Sequence, residues 1–242
     1  MCDDCGCGDP AIVPVELQHD LLAYNDRRAR HNRAHLREDG VFALNLMGSP
    51  GSGKTALLEA TASRWPAGRL AALSGDLATD RDAERLRAAG IPSLAITTGS
   101  ACHLDARMVH DALHDLPLAG RDVLFIENVG NLVCPAIYDL GQERNVVLVS
   151  VTEGEDKPLK YPVMFRRADL VVVTKLDLLP LLLDFRLELL RENLARVMPD
   201  PASLALSARS GEGLDDWLGW LRDARAEASA RLLAEPPAAQ RP

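Results

Sequence analysis

The segment that most constrains the fold is residues 48–55, which read GSPGSGKT. It follows an apolar run over 41–47 and precedes a helical pattern that starts at Lys54. This order of strand, glycine-rich turn and helix is the setting in which the pattern GxxxxGK[ST] forms a P-loop. Backbone N–H groups and the positive end of the helix dipole then face the phosphates. The sequence therefore predicts a nucleotide site and not a glycine-rich turn with an incidental lysine.

The predicted phosphate contacts are shared by the backbone of this loop and by two of its side chains. We expect Lys54 to reach the β- and γ-phosphates and the Thr55 hydroxyl to ligate Mg²⁺. The residues predicted to bind the nucleotide here are Gly48, Ser49, Gly51, Ser52, Gly53, Lys54, Thr55 and Ala56.

The size and charge of the chain limit the classes of protein to which it can belong. With 242 residues, of which 47% are hydrophobic, the chain can form one large domain with an appendage. A net charge of −8 and an aromatic content of 4% argue against a nucleic-acid-binding surface. The N-terminus lacks the basic and apolar regions of a secretory signal, and no apolar run is long enough to span a bilayer. We therefore expect a cytoplasmic protein that engages neither membrane nor nucleic acid.

Apolar runs alternate with helical patterns from residue 41 onward. The predicted strands are 41–47, 69–75, 92–97, 122–127, 145–151, 169–174 and 203–207, and the predicted helices are 54–64, 80–89, 104–116, 181–197 and 213–230. Nearly continuous apolar strands are typical of a parallel sheet that is covered on both faces. The predicted fold is therefore α/β, a P-loop NTPase with a mostly parallel seven-stranded sheet and helices on both faces.

The predicted domain organisation has three parts. Residues 1–40 form an N-terminal metal-binding tail and an amphipathic helix that docks beside the main domain. Residues 41–228 form the nucleotide-binding domain, and 229–242 form a flexible C-terminal tail rich in alanine and proline.

Acidic residues that follow two of the predicted strands are candidates for magnesium and switch chemistry. Glu127 ends an apolar strand and Gly130 follows it, which resembles a Walker-B and switch pattern although aspartate is commoner at the acidic position. The glycine N–H is expected to contact the γ-phosphate. Asp76, or less favourably Asp80, lies where a switch loop is expected, and Asp80 also suits a helix N-cap. The predicted catalytic residues are Lys54, Asp76, Glu127 and Gly130, and the predicted Mg²⁺ ligands are Thr55, Asp76 and Glu127.

Two later motifs indicate that the base is guanine. Thr174-Lys175-Leu176-Asp177 resembles the motif [NT]KxD, in which the aspartate accepts hydrogen bonds that adenine does not offer. The threonine replaces a commoner asparagine. Residues Ser207, Ala208 and Arg209 resemble the SA[KR] element, whose backbone N–H contacts the guanine carbonyl.

Cysteine placement favours metal binding over disulfides. Cys2, Cys5 and Cys7 can close around one ion that prefers thiolates, such as Zn²⁺, Cu⁺, an Fe–S cluster or Ni²⁺. The alternative is a tail with free thiols. Cys102 and His103, at the start of the predicted helix 104–116, could form a second sulfur and nitrogen cluster with Cys134, although each alone is also typical of a structural residue.

Two histidine pairs have the spacing that permits chelation from one helix face. They are His31 with His35 and His110 with His114, in each case four residues apart. Because arginines or aspartates surround them, we expect both pairs to lie on solvated helix faces.

Taken together, five segments resemble the hydrogenase nickel-incorporation GTPases of the HypB family over residues 2–225. They are the leading CxxCGC, the P-loop LNLMGSPGSGKT, the Cys102–His103 pair, the run IENVGNLVCP, and residues 151–162, VTEGEDKPLKYP. The resemblance implies a SIMIBI-class P-loop GTPase with slow hydrolysis of GTP and with Mg²⁺ and Ni²⁺ as ions. It implies delivery of nickel during maturation of [NiFe]-hydrogenase, coupled to dimerisation. No histidine-rich tract is present.

The resemblance also implies sites and partners. Cys2, Cys5 and Cys7 would form a tight nickel site, and Cys102, His103 and Cys134 a nickel or zinc site at a GTP-dependent homodimer interface. The implied partners are a HypA-like nickel chaperone and the hydrogenase large-subunit precursor. The alternatives are a urease-type accessory GTPase, a small-molecule P-loop kinase, a metal-storage module with a vestigial nucleotide site, and an Fe–S carrier. The urease type is disfavoured because Ala136, not histidine, follows Cys134 and Pro135.

Overall fold

The sheet that carries the P-loop has seven strands, and all of its strand pairs are parallel. The computed structural model describes residues 15–99 and 101–234. The strands are β1 (Phe42–Gly48), β2 (Leu70–Asp76), β3 (Ser93–Thr97), β4 (Val123–Glu127), β5 (Arg144–Ser150), β6 (Leu170–Thr174) and β7 (Ser203–Ala205). They lie in the order β3-β2-β4-β1-β5-β6-β7. The predicted fold class is confirmed.

Helices cover both faces of this sheet. They are α1 (Val15–Glu38), α2 (Lys54–Ala62), α3 (Arg81–Ala88), α4 (Ala106–Leu113), α5 (Lys157–Lys160), α6 (Pro162–Arg166), α7 (Leu187–Val197) and α8 (Leu214–Ala234). Short 3-10 helices span Cys134–Ala136 and Leu176–Leu181. In the described parts of the chain, no helix combines the length and the apolar character that crossing a bilayer requires.

The central strands are buried along their whole length because both faces of the sheet are covered. Every residue of β1, β4 and β6 is buried. Successive side chains of a strand point to opposite faces, so Leu44 enters the core under α2, α3 and α8, whereas Ala43 enters the core under α1 and α4. Trp217 of α8 is fully buried in the first core, where its indole N–H donates to Thr61 Oγ1 at 2.9 Å.

The predicted strand bounds lie within two residues of the observed ones, but two predictions for other segments were wrong and one helical segment was not predicted. The helix predicted over 181–197 begins at Leu187, since Pro180 lies inside a 3-10 helix that ends at Leu181. The flexible tail predicted from residue 229 is helical through Ala234, where alanine and leucine favour the helix. The segment between β5 and β6 forms α5 and α6, which the sequence analysis missed.

The N-terminal helix docks on the domain through two buried asparagines. Asn25 and Asn32 lie seven residues apart on α1, which places them on the same face two turns apart. Ala106 N–H donates to Asn25 Oδ1 at 2.9 Å, and Asn32 Nδ2 donates to Ala106 O at 2.8 Å. An ion pair of 2.7 Å joins Arg33 to Asp139. Because buried polar groups need partners, these bonds set one register for α1 against the start of α4.

Candidate nucleotide site and metal cluster

The loop between β1 and α2 has a backbone that only glycine tolerates at its key positions. Gly51 and Gly53 have φ of 75° and 97°, a region that disfavours residues with a Cβ atom. A Cβ atom at Gly48 would lie 2.6 Å from Leu148 O. The conformation therefore explains the glycines of the predicted P-loop.

Lys54 and Thr55 open α2 and point toward different partners. Lys54 Nζ donates to Gly48 O at 3.3 Å and Ser49 O at 3.2 Å, so the lysine folds back over its own loop. Burial lowers the pKa of Lys54, and the charge of Glu127 opposes that shift. An anion held in this loop would therefore relieve the cost of keeping a buried ammonium charged.

Glu127, at the end of β4, is hydrogen-bonded to the first turn of α2, directly after the loop. It accepts a 2.7 Å hydrogen bond from Thr55 Oγ1, and it is 3% exposed. Its second oxygen, Oε2, is buried and has no hydrogen-bond partner among the described residues. Burial raises the pKa of Glu127 to about 7. A hydroxyl and an orphaned carboxylate oxygen side by side are hard oxygen donors, which fit Mg²⁺.

Asp76 faces the same cleft of 470 Å³, together with Gly130. Its Oδ1 accepts 2.9 Å bonds from the N–H groups of Ala78 and Thr79, and these backbone bonds lower its pKa. Asp80 instead occupies the N-cap position of α3 and makes no side-chain cap bond.

Two charged residues of α3 that were not predicted from the sequence, Asp82 and Arg85, also line this cleft. Arg85 forms ion pairs with Glu59 at 2.7 Å and with Asp82 at 3.4 Å. Their signal in the sequence was weak, since both follow Asp80 in an ordinary charged helix. Their position gives the cleft an arginine beside the phosphate loop.

A second cleft of 340 Å³ adjoins the first and is suited to a base. Both clefts are lined by Gly53 and Ala56. The second is also lined by Thr174, Lys175, Asp177, Ala208 and Arg209, all predicted from the sequence.

The side chains that shape this second cleft hold one another in place. Ser207 Oγ donates to Asp177 Oδ1 at 2.6 Å, which orients the carboxylate. The N–H of Arg209 donates to the same Ser207 oxygen at 3.2 Å. Thr174, the unusual residue of its motif, donates to Ser52 O at 2.6 Å and thus ties β6 to the P-loop.

Cys102, His103 and Cys134 converge, as the family resemblance implies. Their ligand atoms all lie within 4.8 Å of one another. The Cys102 and Cys134 sulfurs are 3.0 Å apart, and Cys102 Sγ lies 3.8 Å from His103 Nδ1. The His103 ring stacks on Tyr138 at 4.0 Å between centroids. Cys102 and His103 lie in the loop before α4, which begins at Ala106 and not at residue 104 as predicted, because Asp105 caps it.

The close packing of this cluster shifts the pKa values of two of its members. The hydrogen bond from Cys102, and then burial, raise the pKa of the Cys134 thiol, and burial lowers the pKa of His103. Two sulfurs and one imidazole nitrogen form a donor set for nickel or zinc. Three ligands leave room for a fourth from elsewhere.

One loop connects the nucleotide cleft to this cluster. Gly130 packs so closely on the P-loop that a Cβ atom there would lie 2.8 Å from Pro50 Cγ. The next residue, Asn131, forms an antiparallel bridge with Gly48, and its Nδ2 donates to Cys102 O at 3.2 Å. Its Oδ1 accepts from Val133 N–H at 2.8 Å, directly before Cys134.

Two other sets of residues singled out in the sequence are the N-terminal cysteines and the two histidine pairs. Cys2, Cys5 and Cys7 lie outside the described residues, and their metal site stays a prediction. The histidine pairs were expected on solvated helix faces; His31 and His114 are exposed, and the packing of α1 on α4 brings the two pairs together, with His110 and His31 centroids 5.0 Å apart.

Comparison with known proteins gives consistent matches over most of the chain. The model of the CobW/HypB/UreG nucleotide-binding domain matches residues 42–202. The hydrogenase maturation factor HypB of Azotobacter chroococcum is 51% identical over 221 residues, which cover 91% of this chain and 71% of the relative. The hydrogenase/urease maturation factor HypB of Helicobacter pylori is 40% identical, with 88% and 89% covered. The crystal structure of HypB from Helicobacter pylori in complex with nickel has a TM-score of 0.80 at 40% identity, covering 85% of this chain and 97% of that one.

Proposed function

The chain belongs to the HypB hydrogenase maturation factors of the CobW/HypB/UreG family, and from this membership we propose that it delivers nickel to [NiFe]-hydrogenase under the control of GTP. Nickel is the cargo, and the nucleotide cycle is the control. The proposal is supported by the coexistence, in one domain, of a P-loop cleft and a sulfur–nitrogen cluster joined by a single loop.

The nucleotide part of the proposal is slow hydrolysis of GTP with Mg²⁺. The glycine-rich loop and Lys54 hold the phosphates, while Thr55 and Glu127 hold the magnesium ion, with Asp76 available to the ion or to its water. Asp177, oriented by Ser207, accepts hydrogen bonds from the guanine edge. Mg²⁺, when bound, neutralises charge that develops on the transferred phosphoryl group.

The metal part of the proposal is a nickel site at Cys102, His103 and Cys134, which also accepts zinc. Three ligands leave a coordination position for a residue of a second copy in a GTP-dependent homodimer. Exposed apolar side chains beside the cluster, Val133 at 55% and Ile137 at 49%, support an interface there. The N-terminal Cys2, Cys5 and Cys7 would form the tight nickel site.

The observation that carries the proposal is the path through Asn131. In the proposed cycle Gly130 senses the γ-phosphate, and this role is supported by the contacts of the next residue, Asn131, with both the P-loop strand and the Cys102 carbonyl. A second path runs through Asn128, whose Oδ1 accepts from the N–H of Leu104, next to His103. Loss of the γ-phosphate would release this loop, change the separation of the two thiolates, and thereby alter nickel affinity.

The proposed setting is the cytoplasm, with a HypA-like nickel chaperone and the hydrogenase large-subunit precursor as partners. The Helicobacter pylori relative is described for both hydrogenase and urease, so maturation of another nickel enzyme is the alternative function. Nickel transfer from this protein to either apo-enzyme, measured in parallel with GTP present, distinguishes the two.

The test is a nickel titration of untagged full chain in which Cys2, Cys5 and Cys7 are replaced by serine. Affinity is measured with GDP and with a non-hydrolysable GTP analogue, for monomer and dimer separately. We expect affinities that differ between the two nucleotides. Equal affinities in all four states would refute the coupling. Absence of GTP turnover with Mg²⁺, even in the dimer, would instead favour a metal-storage module.

A further inference from the structure

Four histidines meet on the outer surface where α1 packs against α4. The ring of His110 lies 5.0 Å from that of His31 and 4.7 Å from that of His114, between centroids. The ring of His35 lies 6.1 Å from that of His114. Two rings come from each helix, so the group exists only because α1 is docked in this register. It lies apart from the cysteine cluster, since His110 is five residues, about 7–8 Å, along α4 from its cap Asp105.

The buried Asn32 fixes which nitrogen of His110 is free. Asn32 Nδ2 donates to the carbonyl oxygens of Ala106 at 2.8 Å and Leu140 at 3.1 Å. A flipped amide would set its oxygen against both carbonyl oxygens, so Oδ1 must face His110 Nδ1, 3.1 Å away. An amide oxygen only accepts, and Nδ1 therefore carries the proton. The Nε2 atom of His110 is left without a proton, and it faces Nε2 of His114.

That arrangement is the one that metal-binding imidazoles use. A ligating histidine donates its other ring N–H to an oxygen, which fixes the tautomer and the orientation of the ring. Asn32 is fully buried and thus holds the ring of His110 firmly. Burial, and then the neighbouring His114 and His31, lower the pKa of His110, which keeps the imidazole neutral.

The second nitrogen of the pair stands at ligand spacing. His114 Nε2 lies 3.3 Å from His110 Nε2. Two nitrogens bound at about 2.0–2.1 Å to one tetrahedral ion are about 3.3–3.4 Å apart. Residue 114 keeps helical backbone angles at the end of α4, so the pair retains the i, i+4 geometry.

The charges around the group are mixed and leave it open to a cation. Arg28 of α1 lies close enough to lower the pKa of His110, and Asp111 of α4 acts in the opposite direction. His35 Nε2 lies 3.6 Å from Asp39 Oδ2. His31 and His114 are exposed and can turn toward an ion held by the other two nitrogens.

We propose that His110 and His114, with His31 and His35 beside them, form a further divalent-cation site that takes ions with a preference for imidazole, of the class of Ni²⁺ and Zn²⁺. The donor set excludes Mg²⁺ and Ca²⁺, which require oxygen ligands. The proposal rests on α1–α4 packing and not on the proposed function, and it needs neither nucleotide nor cysteine.

The experiment uses the full chain with all five cysteines replaced by serine, so that no thiolate can hold nickel. Ni²⁺ alone is titrated in competition with a chromophoric chelator, while NMR follows broadening of the histidine ring signals by the paramagnetic ion. We expect one equivalent of Ni²⁺ per chain, no thiolate-to-nickel absorption band, and selective broadening of His110 and His114. Circular dichroism and thermal melting verify that each variant is folded.

Three variants locate the ion. His110→Gln with His114→Gln should lower the association constant at least about tenfold, since loss of even an outer partner of a metal ligand costs about 10–100-fold. Arg107→Gln, exposed on the same helix, is the matched control and should change it less than about twofold. His31→Gln with His35→Gln should lower it several-fold.

Each possible result of this experiment supports or refutes a specific part of the proposal. If the cysteine-free chain binds no stoichiometric Ni²⁺, or binds it equally well without His110 and His114, the site does not exist. If removal of His31 and His35 leaves the affinity unchanged, their part in the site is refuted. Either result leaves the coupling between GTP and the cysteine cluster untouched, because that coupling is measured with a different nickel site.

Discussion

Replacement of Asn131 by alanine should uncouple the nucleotide from the proposed nickel site at Cys102, His103 and Cys134 without disrupting either site. The side chain donates to Cys102 O at 3.2 Å and accepts from Val133 N–H at 2.8 Å. A neutral hydrogen bond of this kind contributes about 0.5–1.5 kcal/mol net, so Asn131→Ala removes about 1–3 kcal/mol of the free energy that holds the loop to the cluster. The backbone bridge to Gly48 remains.

That free energy has the size of a typical allosteric coupling. Coupling of about 1–3 kcal/mol corresponds to a ratio of about 5–150 between two affinities. We therefore expect the ratio of nickel affinities, with GDP against a GTP analogue, to fall at least about fivefold toward one in Asn131→Ala. The GTP affinity itself should stay within about twofold, because Asn131 contributes no side-chain atom to the nucleotide clefts.

The assay is nickel competition in the background that lacks Cys2, Cys5 and Cys7, with one nucleotide at a time. Asn193→Ala is the control, because Asn193, like Asn131, donates one side-chain bond to a backbone carbonyl, in its case Glu155 O at 2.9 Å. The control should lose similar stability and keep the full affinity ratio. If Asn131→Ala keeps the ratio as well, coupling does not pass through this side chain and the reasoning fails.

Three further predictions test the nucleotide site and the core. Asp177→Asn should lose GTP binding and gain xanthosine triphosphate, measured by fluorescent nucleotide displacement; retained preference for GTP would contradict the role of this carboxylate. In nucleotide-free protein, the free energy of unfolding should fall as pH rises from about 4.5 to about 7, because burial raises the folded-state pKa of Glu127 to about 7 and the unfolded chain releases the proton earlier. In Glu127→Gln, this fall in the free energy of unfolding, measured by urea denaturation, should be smaller by up to about 3 kcal/mol. An unchanged pH dependence would contradict the assignment of the fall to Glu127. Trp217→Ala should cost about 3–5 kcal/mol of stability, since the indole is fully buried and bonded to Thr61; a loss under about 1 kcal/mol would show that the core refills.

Local patterns made the sheet and the nucleotide site predictable. The P-loop carries its own backbone requirement, which glycines at 48, 51 and 53 reveal. Asp177 and Ser207 each follow a strand, and the carboxyl ends of parallel strands share one edge. Pro180 was a sequence signal that the helix predicted from residue 181 begins later.

Contacts that depend on which helices pack against each other could not be predicted from the sequence. The meeting of His31 with His110 requires α1 to lie on α4, and the bonds that fix this, through Asn25 and Asn32, join residues more than seventy positions apart. Asn131 looks like any polar loop residue in the sequence, and its contact with Cys102 spans two loops. The position of Arg85 in the cleft was unpredictable for the same reason, because it depends on α3 packing beside the phosphate loop.

The central place of β1 in the sheet also governs how the chain folds during synthesis. The strand that carries the P-loop pairs with β4 and β5 and not with its sequence neighbour β2. At about 5–20 residues per second, the ribosome needs about 4–15 s between the end of β1 and the start of β4. During that interval β1 presents two unpaired edges in an apolar segment, which is a hazard for aggregation. A nascent chain that stalls before residue 150 can therefore neither complete its sheet around the phosphate loop nor draw stability from a bound nucleotide.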